Sequence, residues 1–85
     1  MKIYDFTEPE LQYFRTFCNF TPEEEELFTL RSRNIPLEKC AEIMHRDSIK
    51  NLSARINNKI IRVVDSKRMN RWLNEVYWKS ILENQ

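Results

Sequence analysis

Apolar residues return along this chain at three- and four-residue intervals and seldom alternate with polar ones, so the period is that of helices rather than strands. Leu11, Phe14, Phe17 and Cys18 define a first amphipathic segment. It is preceded by Thr7-Glu8-Pro9-Glu10, which combines a capping hydroxyl, a proline suited to the first helical turn and a glutamate three residues after the threonine. The spacing predicts a helix over about residues 8–18, with Asn19 as its stop. Thr21-Pro22-Glu23-Glu24 repeats the start signal, and Leu27, Phe28 and Leu30 form the buried face of a second helix. Glu23 to Glu26 sit where the positive end of the helix dipole favours them and are read as capping and solubility, without chemistry. Asn34 tolerates the left-handed conformation that closes such a helix.

Pro36 opens a short third helix, about residues 36–45, in which Leu37, Cys40, Ala41 and Met44 share one face. The small Ala41 lets another helix cross closely. Asp47 or Ser48 then caps a fourth helix running to about Arg62, with Leu52, Ile56, Ile60 and Val63 inside and Lys50, Asn51, Ala54, Arg55, Asn57 and Asn58 pointing away. Asp65 or Ser66 opens a fifth, about residues 66–83, whose stripe of Met69, Trp72, Leu73, Val76, Tyr77 and Ile81, with Trp78 beside it, is large for so small a domain. Either this stripe completes the core against the first helix, or part of it is a dimer interface, for which Trp72, Val76, Tyr77 and Ile81 are the candidates.

The expected fold is therefore all-α, one domain of about five helices. Zero glycines argue against a turn-dense β chain and against a Gly-rich phosphate loop. No apolar run approaches the roughly 18 residues of a membrane span, and the amino terminus lacks a signal-peptide stretch, so a cytoplasmic protein with no membrane partner is expected. One histidine and two cysteines without a CxxC spacing offer no metal site, and no cofactor is expected; Cys18 and Cys40 read as reduced core residues. No nucleophile, base and orienting group are arranged as an enzyme requires.

The net charge of +1 hides a strong segregation. Residues 1–30 carry two cations against seven acids, a balance of −5, whereas residues 31–71 carry eleven against four, a balance of +7. A basic middle within a near-neutral chain is the footprint of a polyanion-binding face. It coincides with two short helices joined by a tight turn, the second of them polar outside.

The run Phe20-Thr21-Pro22-Glu23-Glu24-Glu25-Glu26-Leu27-Phe28-Thr29-Leu30, then Asn34, Lys39-Cys40-Ala41-Glu42 and Ser48…Asn51-Leu52…Arg55-Ile56, resembles the helix-turn-helix domain of LuxR/NarL-type regulators and region 4 of bacterial sigma factors. The likeness covers about 45 residues and runs without gaps from Phe20 to Ala41. It divides the chain into an N-terminal helix (1–19), a helix-turn-helix core (20–64) and a C-terminal packing or dimerisation helix (65–85). Pro36 stands where the family has a capping Ser or Thr, the turn before Ser48 is one residue longer, and His45-Arg46-Asp47 replaces the family's apolar turn residue, a gap that Ile49 or Met44 fills.

The resemblance implies that the fourth helix enters the major groove of double-stranded DNA. Lys50, Asn51, Ala54 and Arg55 then face base edges, since Arg and Lys suit guanine, Asn suits adenine and Ala the thymine methyl. Lys39, His45, Arg46, Ser48, Asn58, Lys59 and Arg62 flank that helix and reach phosphates. A homodimeric, sequence-specific transcriptional regulator is the expectation, because one such domain touches few base pairs. The alternative is a protein-interaction module on the same scaffold, such as a partner of RNA polymerase or an inhibitor of another protein.

Overall fold

Two threonines set the first half of the structure. The computed structural model describes residues 3–83 and opens with a 3-10 turn at Ile3–Asp5, followed by α1 (Glu8–Phe17) and α2 (Pro22–Ser32). Thr7 and Thr21 both complete a capping box: each hydroxyl accepts from the backbone N–H of the glutamate three residues on, and that glutamate's carboxylate accepts from the threonine N–H. Two orphan donors are satisfied at each helix start. α3 (Leu37–Ile43) and α4 (Lys50–Val63) follow. The chain ends in one continuous helical run made of α5 (Ser66–Trp72), a π-helical stretch (Leu73–Tyr77) and α6 (Trp78–Glu83). Asp65, one of the two expected caps, accepts from the Arg68 N–H at 3.0 Å.

A chain without glycine must turn by other means. Asn19, Asn34 and His45 have φ of 53°, 61° and 56°, and each closes one of the first three helices. After α2 the Asn34 N–H reaches the Arg31 carbonyl (3.0 Å) and the Ile35 N–H the Leu30 carbonyl (3.2 Å). After α3 the His45 N–H reaches Glu42 (3.2 Å) and the Arg46 N–H reaches Ala41 (2.9 Å). Both are Schellman closures, in which a left-handed residue satisfies carbonyls the helix would otherwise orphan. The role of the two asparagines was expected; that of His45 was not.

α4 lies against α2 and α1, and its Leu52, Ile56 and Ile60 are buried with Leu27 and Phe28 of α2 and Leu11, Tyr13 and Phe14 of α1. Each such side chain contributes about 1.5–3 kcal/mol when fully covered. Cys18 and Cys40 are free thiols within this core, and burial pushes the Cys18 thiol up to about 11, with Glu24 adding and Lys59 opposing. Ile49 is buried as well, while Met44 is half-buried, so Ile49 is the residue that fills the turn. Its burial also decides the start of α4. Ile49 occupies the cap position with no side-chain hydrogen bond, and neither Asp47 nor Ser48 serves as the expected cap.

The C-terminal run packs on α1 alone among the major helices. Trp72 meets Tyr13 and Phe17 edge-on at ring distances of 5.8 and 6.2 Å. The π-helical stretch then sets Tyr77 beside Trp72 at 6.0 Å. Beyond it Ser80 and Ile81 still border an open groove with Gln12 and Thr16 of α1. The radius of gyration, 13.9 Å, exceeds the roughly 12 Å of a compact chain this long. Among the described residues no helix is long and apolar enough to cross a membrane.

A candidate nucleic-acid interface on the fourth helix

The spacing that buries Leu52, Ile56 and Ile60 turns the opposite side of α4 outward. Lys50, Asn51, Ala54, Arg55, Asn58 and Arg62 are all exposed, and Asn57, expected outside, lies half-buried on the flank. No acidic residue occurs in the fourteen residues of α4. Lys50, Arg55 and Arg62 make no direct ion pair among the described residues. Arg55, Asn58, Lys59 and Arg62 line one open groove together with Glu24. At the other end Lys50 borders a small crevice shared with Glu38, Ala41, Asp47 and Ile49, so the basic character is strongest from Asn51 onward.

The remaining cations assigned to phosphates behave differently. Lys39 lies on α3 and pairs with Glu42 at 3.3 Å, both groups being well exposed, an arrangement that contributes little. Arg46 is paired with Glu23 across the turn. His45 is exposed, yet its backbone is committed to the left-handed closure of α3. Ser48 is exposed, and its hydroxyl accepts only a long contact from the Lys50 N–H at 3.5 Å. Lys59 is turned inward, donating to the Glu24 carboxylate and, at 3.1 Å, to the Asn19 carbonyl.

The acidic run is thus not a bland solvated face. Glu23 holds Arg46, Glu24 holds Lys59, and Glu25 holds Arg15 of α1 at 2.9 Å. Successive helical positions differ by about 100°, so three neighbouring carboxylates address three different elements. Glu24 is buried at 2% exposure. Burial pushes its carboxyl up, but hydrogen bonds from Lys59 and Thr21 and the Lys59 charge outweigh this and hold it below its ordinary value. No local signal marks this pairing, because Lys59 lies 35 residues away. Tyr13 was also missed. It is fully buried and its hydroxyl donates to the Val63 carbonyl at 2.6 Å, satisfying the last turn of α4.

Of the residues assigned to a dimer, Trp72 and Tyr77 are half-buried and occupied with aromatic contacts inside the chain. The other two, Val76 and Ile81, are exposed, as are Trp78 and Leu82 (68%) of the same run, and exposed apolar side chains also occur outside it at Ile43, Ile61 (59%) and Val64. No family model matches the chain, and neither a curated protein nor a solved structure matches it.

Proposed function

We propose that this chain binds double-stranded DNA through the outward face of α4, as a small sequence-specific regulator with a helix-turn-helix formed by α3 and α4. The observation that carries this reading is the exposure of Asn51, Ala54, Arg55, Asn58 and Arg62 on one helix that holds no carboxylate. A helix of this kind offers donors to base edges and charge to phosphates. The resemblance of Phe20 to Ile56 to LuxR/NarL and sigma region 4 domains supports the same reading. Lys50, Asn51, Ala54 and Arg55 are the base-reading residues, and Arg62, Asn58 and Ser48 are the phosphate contacts.

Two copies read one site in this proposal, meeting through Trp78, Ile81 and Leu82, which share one helical face. The same apolar surface is the observation favouring the second reading, in which the chain is an adaptor for another protein such as RNA polymerase. One experiment separates the two. Mixed genomic duplex is titrated with protein between about 50 and 200 mM salt, and DNA binding appears as a shift whose affinity falls steeply with salt. Absence of a shift at the lowest salt, with capture of one defined protein partner, replaces the first reading by the second.

A further inference from the structure

Packing of Leu52, Ile56 and Ile60 decides which side of α4 faces the body, but apolar contact is non-directional and holds the rotation less sharply than a hydrogen bond does. A roll of about 20° displaces a side chain at a radius of about 5–6 Å by roughly 2 Å. Base-edge hydrogen bonds do not tolerate such a shift. Something directional must sit at the edge of the stripe. Lys59 does: it follows the exposed Asn58 and precedes the buried Ile60, and its side chain is only 28% exposed. Its ammonium joins the Asn19 carbonyl, where α1 ends, to the Glu24 carboxylate, where α2 begins. Glu24 is itself immobilised, because the same Oε1 accepts from the Thr21 N–H at 2.9 Å and its own N–H donates to the Thr21 hydroxyl at 3.2 Å.

We infer that Lys59 and Glu24 form a positioning pair that sets the roll of α4, and that Lys59, although it lines the basic groove, neutralises no phosphate. The inference rests on the DNA-binding reading above and deepens it. It divides the cations of the groove by role: Arg55 and Arg62 turn outward to the duplex, and Lys59 turns inward to aim them. The carboxylate loses its hydration on burial while the ammonium stays part-exposed, so the pair's expected contribution is to geometry more than to stability.

The test uses a duplex selected from a random pool and the slope of log affinity against log salt, which counts phosphate contacts. Lys59→Met is expected to weaken binding about tenfold or more with the slope unchanged, because a buried carboxylate that has lost its cation lets α4 shift. Lys59→Arg is expected to keep affinity within about threefold, whereas the double variant Glu24→Leu with Lys59→Met, which puts apolar contact in place of the directional pair, is expected to stay about tenfold weaker with the slope again unchanged. Arg62→Gln, by contrast, lowers the slope by about one. A slope lowered by about one in Lys59→Met, with tighter binding by Glu24→Leu, overturns the inference and makes Lys59 a phosphate contact. Failure of the unaltered protein to bind any duplex refutes the DNA reading instead. In that event hydrogen exchange of the α4 amides decides the pair: protection lost in Lys59→Met and kept in Lys59→Arg supports it, and equal protection in all variants overturns it.

Discussion

α4 and the run from Ser66 to Glu83 are both long amphipathic helices, yet they dispose of their apolar faces in opposite ways. α4 lies between two neighbours, and Leu52, Ile56 and Ile60 vanish beneath α1 and α2. The C-terminal run has α1 on one side only. Met69 is buried, Trp72, Leu73 and Tyr77 are half-covered, and Val76, Trp78 and Leu82 stay in water. Periodicity announces that a face exists; the number of neighbouring elements decides whether the same chain covers it. α4 adds directional bonds at its edge through Lys59 and at its end through Tyr13, whereas no such bond ties α6 to the body among the described residues.

The strongest challenge to this contrast is a pair of truncations read by urea unfolding. Ile60→Ala should cost about 2–5 kcal/mol, and Leu82→Ala should stay within about 0.5 kcal/mol at dilute protein. A Leu82→Ala cost above about 2 kcal/mol would mean the outer face is covered in solution. Next, Arg55→Ala should lose about 1–3 kcal/mol of affinity for a selected duplex and relax its sequence preference, with unfolding unchanged. Tyr13→Phe should cost about 1 kcal/mol of stability, since the Val63 carbonyl loses its donor. His45→Gly should raise stability by about 0.5–1 kcal/mol in a thermal melt, because the left-handed conformation is unfavourable for a residue with a Cβ. The finest effect is in pH. Glu24 titrates below its ordinary value of 4.5 when folded, so its contribution is present above that value and disappears as pH falls through the folded one. Acid unfolding of Lys59→Met should show a smaller such component, since only the Thr21 hydrogen bonds then favour the ionised carboxyl against its burial.

Local chemistry was legible in the sequence and distant pairing was not. The capping boxes at Thr7 and Thr21, the closing asparagines and the inward line of α4 are written in residues three or four apart, and the structure carries each of them. The start of α4 was misjudged, because a cap preference at Asp47 or Ser48 yields to the burial of Ile49. Lys59 read as a surface cation for the same reason that Glu24 read as a solvated one: the partner of each lies on another helix, beyond any sequence period. Among the proposed reading residues, exposure followed from the helical spacing alone, while the inward turn of Lys59 required the three-dimensional arrangement.

The hydrogen bond from Tyr13 to Val63 bears on how portable the middle of this protein is. A fragment begun at Phe20 would keep every residue that carries the family likeness, but it would discard the hydroxyl that finishes α4, the arginine that Glu25 grips and the Asn19 carbonyl that Lys59 grips. Grafting that fragment onto another protein would therefore transplant the proposed recognition surface without the brace that gives it a shape.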